Sequence, residues 1–215
     1  MKVKIQRPES LKDIKLSQHQ EFQEAVKDSE DIEFINNKMV SIFCNIDMKY
    51  IRQIAKKDYD KLVSSLTNIL IAKPSITTKF THNGIKYGLI PSMEDMTVGE
   101  QADLDSMYND YSKRQKVMSI LYRPITVQNS RGYLIEEYTG KEKPLDVNME
   151  IVKGADVFFF NILKDCMIIT QNYINQPQLK QKLDQALEKN GGGTATFTHS
   201  LMEIFLDLRM QLNLN

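Results

Sequence analysis

The sequence predicts an α+β protein that is predominantly helical, with one or two β-hairpins, a short N-terminal strand and a flexible glycine joint before a C-terminal amphipathic helix. Three observations lead to this fold class. Apolar residues recur at helical spacing over most of the chain. Two segments, near 78–90 and 124–138, instead alternate apolar and polar residues around turn-forming positions. Three consecutive glycines at 191–193 separate the last apolar helical pattern from the rest.

The N-terminal part is expected to contain a strand and then helices. Residues 2–6 alternate and predict a short strand, which Pro8 ends. Ser17 and Gln20 have the spacing of a capping box, so the first helix is expected to start there. A second helical face carries Ile32, Ile35, Met39, Phe43 and Ile46.

A third helix is expected to lead into the first hairpin. Its apolar stripe consists of Tyr59, Leu62, Val63, Leu66, Ile69 and Leu70. Lys73-Pro74 ends that helix. Asn83-Gly84 then lies between alternating residues and predicts a tight hairpin turn, because both central positions need a positive φ. The flanking strand residues are Thr78, Phe80, Ile85, Tyr87 and Leu89.

After Pro91 the chain is expected to return to helix. Thr97 and Glu100 have capping-box spacing, with Met96 placed as a hydrophobic staple. Helices are therefore predicted over 101–108 and 113–122.

The second hairpin is predicted to follow Arg123-Pro124 and to turn near Asn129–Gly132. Its strand residues are Ile125, Val127, Tyr133, Ile135 and Tyr138. This organisation divides the chain into a mainly helical domain over 1–190, the joint at 191–193 and the C-terminal helix at 194–215.

The C-terminal helix is the candidate partner-binding element. Its apolar stripe consists of Phe197, Leu201, Ile204, Phe205, Leu208 and Leu212. A stripe this apolar has to be buried, and the glycine joint permits it to pack on its own domain, on a second copy or on a protein partner.

Composition excludes several function classes. Lys plus Arg and Asp plus Glu both number 28, so a balanced charge gives no reason to expect nucleic acid or a membrane surface as partner. The most apolar segment, 157–174, is interrupted by Lys164 and Asp165 and predicts a buried helix rather than a membrane span. The first ten residues lack the apolar core of a signal peptide, so we expect an intracellular protein.

No arrangement of reactive side chains predicts an enzyme. Two cysteines, expected to be buried thiols, and three dispersed histidines lack metal-ligand spacing, so neither a metal nor a cofactor is expected. Paired carboxylates in the acidic stretch of Glu94, Asp95, Glu100, Asp103 and Asp105 could bind a cation or act as acid and base, but a helix start favours such residues for capping. A basic cluster could bind phosphate, but it is more simply a solvated helix face; it comprises Lys113, Arg114 and Lys116.

Three stretches resemble a group of small tailed-bacteriophage proteins: SIFCNI, KFTHNGIKYGLIPSMEDMTVGEQADLD and KVMSILYRPI...GYLIEEYTG. The shared pattern is F-x-x-(N/D)-G-x-x-(Y/F)-G, then P-x-(L/M)-(E/D)-(D/E)-(M/I)-T-(F/V)-G-E, D-L-D and (L/M)-Y-R-P-I. Its positions here are Phe80, Asn83, Gly84, Tyr87, Gly88, Pro91, Glu94, Asp95, Thr97, Gly99, Glu100, Asp103, Leu104, Asp105, Leu121, Tyr122, Arg123, Pro124 and Ile125. The likeness spans about residues 1–165 and departs at Gln101-Ala102, where the pattern has an aromatic residue.

This resemblance implies a role in virion morphogenesis rather than catalysis. Some proteins of the group are similar to tail assembly chaperones, so the first expectation is an assembly factor that binds a phage structural protein in the host cytoplasm. The alternative is a structural component of the virion, a head, neck or tail protein that is oligomeric in the particle. The hairpin and the Thr97/Glu100 capping box are then expected to form a fixed corner, and an edge strand of the hairpin could pair with another chain.

Overall fold

A computed structural model describes residues 5–91 and 96–159 of the chain. The chain divides into two compact units, residues 1–152 and 153–215. The described part is an α+β structure in which helices predominate, as the sequence predicts. The glycine joint at 191–193 and the helix at 194–215 lie outside the described residues. So do residues 2–4 of the predicted N-terminal strand, while Ile5 and Gln6 are not in a strand.

Four helices form the N-terminal half of the first unit. They are α1 (Leu16–Val26), α2 (Ile32–Phe43), α3 (Met48–Ile51) and α4 (Lys56–Leu70). α2 packs against the other three. Its first residue, Ile32, is 74% exposed, contrary to the predicted face, while Met39 and Phe43 are buried at its C-terminal end. The predicted stripe of α4 buries Leu62, Leu66 and Ile69.

The start of α1 differs from the predicted capping box. The helix begins at Leu16, and the N–H of Lys15 donates to Oε1 of Gln18 at 3.0 Å. Ser17 lies inside the first turn, where its N–H and hydroxyl both donate to the carboxylate of Asp146 at 2.8 Å. The prediction that Ser17 caps the helix is therefore wrong, because an acid 129 residues away satisfies the first-turn donor instead.

The first hairpin forms as the sequence predicts. β1 (Lys79–His82) and β2 (Ile85–Leu89) pair from His82 and Ile85 onward. The two turn residues, Asn83 and Gly84, have φ values of 49° and 80°. A two-residue type I′ turn requires positive φ at both of these positions.

Two helices, two strands and another helix follow the first hairpin. α5 (Val98–Met107) and α6 (Arg114–Leu121) are followed directly by β3 (Tyr122–Asn129) and β4 (Gly132–Ile135). A further helix, α7, occupies 149–159. The second hairpin turns between Asn129 and Gly132, as predicted. β3 nevertheless begins at Tyr122, before Arg123-Pro124, and β4 ends at Ile135, so the prediction that Tyr138 is a strand residue is wrong.

The two hairpins join into one antiparallel sheet of order β1-β2-β3-β4. The junction pairs Leu89 with Tyr122 and Tyr87 with Pro124. Proline is tolerated at this position because it lies opposite a residue with which it exchanges no hydrogen bond, and its carbonyl accepts from the N–H of Glu136 at 2.9 Å. The sequence indicated both hairpins but not this pairing between them.

Because Gly88 of β2 has no side chain, the aromatic ring of Tyr133 from β4 can lie directly over it. A Cβ atom at Gly88 would lie 2.3 Å from the ring of Tyr133. The hydroxyl of Tyr133 reaches over that glycine and donates to the carbonyl of Leu89 at 2.7 Å. A side chain at position 88 would therefore displace the ring that connects β4 to β2.

We expect Gly84→Val to lower the free energy of unfolding by about 1–3 kcal/mol, because a β-branched residue at positive φ is strained. No atom lies within 4 Å of the Cβ position, so the cost is backbone strain and not a clash. Urea denaturation would measure it. Lys86→Val, two residues on and exposed, is the matched control and should change stability by less than about 0.5 kcal/mol. Equal stability of parent and Gly84→Val would exclude the type I′ turn.

Candidate functional site

The segment that carries the phage-like pattern folds into a corner around the N-terminus of α5. Thr97 and Glu100 form the predicted capping box: the hydroxyl of Thr97 accepts from the N–H of Glu100 at 3.2 Å, and the carboxylate of Glu100 accepts from the N–H of Thr97. Glu100 is only 2% exposed. The sequence predicted the cap, but it did not predict that the capping carboxylate is buried.

A buried ion pair connects this cap to the sheet. Nη1 of Arg123, at the start of β3, donates to Oε1 of Glu100 and to the carbonyl of Ile120. The guanidinium carbon of Arg123 lies 5.8 Å from the ring centre of Tyr138, whose hydroxyl donates to Asp103. The prediction that the acidic residues serve capping is therefore incomplete for Glu100, which also pairs with the buried guanidinium of Arg123.

The protonation equilibria follow from these contacts. Burial raises the pKa of Glu100, but the hydrogen bonds from Thr97 and the charge and hydrogen bond of Arg123 outweigh burial and leave that pKa below its ordinary value of 4.5. Burial, followed by the hydrogen bond to Asp103, raises the pKa of Tyr138 far above the ordinary tyrosine value. Both groups are held in their usual charge states and not poised for proton transfer near neutral pH.

The basic cluster does not form one solvated face. Lys113 and Lys116 are exposed, as predicted, but Arg114 is 1% exposed, so that prediction is wrong for Arg114. Its guanidinium carbon lies 4.5 Å and 5.4 Å from the ring centres of Tyr108 and Tyr111. Two aromatic rings at this spacing provide cation–π contacts, which offset part of the cost of burying the charge.

The structure describes only some of the remaining candidate groups. Glu94 and Asp95 lie outside the described residues, and Asp105 is exposed. Cys44 is a buried thiol whose pKa is raised by burial. Within residues 5–91 and 96–159, no group of three or more His, Cys, Asp or Glu side chains could hold a metal ion.

The predicted partner-binding stripe, Phe197, Leu201, Ile204, Phe205, Leu208 and Leu212, lies outside the described residues. The described part instead offers a second candidate surface, at the turn end of the sheet. Ile85, Val127 and Leu134 are 48%, 50% and 62% exposed. We call these three residues the aliphatic row.

Register places the aliphatic row on one face of the sheet. Tyr133 covers Gly88, so it lies on the face opposite to Tyr87. Leu134, next to Tyr133, therefore lies on the face of Tyr87, together with its cross-strand partner Val127. Ile85, two residues before Tyr87, shares that face as well. Uncharged aliphatic side chains thus follow one another across β2, β3 and β4.

Aromatic residues continue the same face toward β1. The rings of Phe80 and Tyr87 stack with centroids 5.5 Å apart, and Phe80 meets Tyr122 edge to face at 5.1 Å. Tyr122 is fully buried, so the face passes from buried aromatic to exposed aliphatic residues along the strands. Two members of the row were visible in the sequence as strand residues, but only the joined sheet shows that they share an exposed face.

Comparisons with known proteins found no protein-family model, curated protein or solved structure that matches this chain. In the part of the chain that the structure describes, no helix has the length and apolar character needed to cross a membrane.

We expect Arg123→Met to lower the free energy of unfolding by about 3 kcal/mol, because it leaves the buried carboxylate of Glu100 without its cation. Urea denaturation would measure the change. The control, Lys56→Met, breaks the exposed pair with Asp60 and should cost less than about 1 kcal/mol. Equal costs for the two variants would contradict a structural role for the buried pair.

The lowered pKa of Glu100 predicts an acid dependence of stability. A carboxyl whose pKa is lower in the folded than in the unfolded chain stabilises the fold above the unfolded value, and this contribution is lost as the pH falls through the folded pKa. Between about pH 6 and pH 3 the parent should therefore lose more stability than Glu100→Gln, which has no proton to take up. Parallel stability profiles of the two proteins would show that Glu100 titrates normally.

Proposed function

We propose that this chain is a non-enzymatic bacteriophage assembly factor that binds a phage structural protein during tail morphogenesis. The proposal rests first on the resemblance of the segment 79–140 to small phage morphogenesis proteins. It is supported by the aliphatic row, an exposed uncharged surface on a sheet that the Glu100–Arg123 pair fastens to α5. Exposed apolar residues that adjoin one another are typical of protein-binding surfaces.

The chemistry of the described residues favours binding over catalysis. The buried charged groups of the corner, Glu100 and Arg123, are engaged with each other, and Asp103 accepts from Tyr138. An assembly factor needs such a stable frame and an apolar surface that covers the apolar segments of an unassembled structural protein. The C-terminal stripe predicted from the sequence would provide a second apolar surface for the same partner.

We expect Ile85→Lys to reduce co-purification with the structural partner by at least about tenfold, since a lysine in an apolar contact readily costs the 1.4 kcal/mol that corresponds to this factor. The chain would be co-expressed with each structural protein of the same phage in turn, and the soluble complex would be quantified. Val98→Lys replaces a residue that is 86% exposed on α5 and is the matched control. Equal recovery with both variants would show that the row is not the binding surface, and absence of any complex would contradict the assembly role.

The alternative, a structural virion component, is favoured by one feature, the exposed outer edge of β4 at the end of the sheet. Mass spectrometry of purified particles separates the two functions. An assembly factor should be absent from the particle or present in traces, whereas a structural component should be present at stoichiometric level.

A further inference from the structure

β4 forms an outer edge of the sheet and lacks the features that usually protect such edges. Its neighbour within the described residues is β3 alone. Its sequence, Gly-Tyr-Leu-Ile over 132–135, contains neither a charged residue nor a proline. Natural sheets usually place lysine, proline or a bulge on an edge strand to prevent pairing with another chain. The β3–β4 ladder has a register shift between Ile125 and Val127, but its extra residue lies on β3 and not on β4. β1, at the other edge, begins with Lys79 and follows this rule.

The backbone of β4 presents hydrogen-bonding groups to the outside of the sheet. The N–H of Glu136 donates to the carbonyl of Pro124 and so points toward β3. Backbone groups alternate in direction along a strand, which places those of Leu134 on the β3 side as well. The N–H and C=O groups of Tyr133 and Ile135 are therefore directed away from β3.

We propose that β4 pairs antiparallel with β4 of a second copy of this chain, across a two-fold axis at Leu134. In this pairing Tyr133 exchanges both backbone hydrogen bonds with Ile135 of the second copy, and Ile135 does the same with Tyr133 of that copy. Leu134 then faces Leu134 of the second copy at a position without mutual hydrogen bonds, where opposed side chains are closest.

Charge selects this axis among the possible ones. An axis at Leu134 brings Arg131, in the turn just before β4, close to Glu137 of the second copy, two residues after its β4, at both ends of the pairing. An axis at Tyr133 would place Arg131 opposite Ile135, and an axis at Ile135 would place Glu137 opposite Tyr133. Both Arg131 and Glu137 are exposed, and neither forms an ion pair with another described residue. Opposite charges directly across two strands stabilise the pairing, and like charges destabilise it.

The pairing also extends the aliphatic row. Leu134 of one copy meets Leu134 of the other, so the two aliphatic rows join end to end. One apolar strip then crosses an eight-stranded sheet, in the order Ile85, Val127 and Leu134 of one copy and Leu134, Val127 and Ile85 of the other. The strip doubles the apolar surface that a structural protein could contact. The pairing itself involves the edge of β4 and does not depend on the proposed phage function.

Charge reversal tests the pairing and its register together. In sedimentation equilibrium over increasing protein concentration, the parent should approach twice its chain mass of 24.9 kDa. Arg131→Glu should raise the dissociation constant at least about tenfold, because like charges then meet at both ends. The double variant Arg131→Glu/Glu137→Arg should restore the parent value, and Val98→Lys and Ile85→Lys should leave it unchanged. A parent that stays at 24.9 kDa throughout, or a double variant no better than the single one, would overturn the proposal.

A cross-link provides a second measurement that does not depend on charge. Leu134→Cys should form a disulfide between two copies under mild oxidation, because the two Cβ atoms at the axis lie at a distance that a disulfide can span. The parent gives the background from the natural cysteines, and Val98→Cys tests for random collision of exposed thiols. Covalent dimer from Leu134→Cys well above both controls supports the axis. A yield equal to that of Val98→Cys would overturn it.

Discussion

The buried ion pair between Glu100 and Arg123 is the interaction on which the arrangement of the second half of the first unit depends. One carboxylate caps α5 through Thr97 and neutralises the guanidinium that begins β3. The side chain of Glu100 therefore contacts both the start of α5 and the start of β3. Separating the two charges would leave a buried ion in an apolar environment, whose cost exceeds that of losing a surface pair. The Glu100–Arg123 ion pair thus stabilises the corner in addition to apolar packing.

The small sheet of this mostly helical chain is joined at the same corner. The first hairpin ends at Leu89, before the chain returns to helix, and the second begins at Tyr122, directly after α6; the two strands pair at these residues. Because Arg123 is anchored at this junction, the two turns project away from the buried end of the sheet. The same geometry exposes the aliphatic row and the outer edge of β4. The proposed partner surface and the proposed self-association surface both lie on the sheet that meets at this junction.

Local signals in the sequence predicted local structure well. Asn83-Gly84 gave the first turn, because the turn type demands positive φ at both positions, and Thr97 with Glu100 gave the start of α5. Long-range contacts were not predictable in this way. Ser17 binds Asp146 instead of capping its own helix, and Arg114 is buried between tyrosines brought together by the fold. The edge-to-edge joining of the hairpins likewise depends on pairing between distant residues.

A double-mutant cycle on Glu100 and Arg123 tests the central claim most directly. Unfolding free energies of the parent, Glu100→Gln, Arg123→Met and the double variant give the coupling between the two side chains, free of what each contributes alone. If the buried pair fixes the corner, the double variant should be more stable than the sum of the single losses implies, by about 2 kcal/mol. Additive losses, with coupling below about 0.5 kcal/mol, would show that the cap and the sheet are held independently of each other.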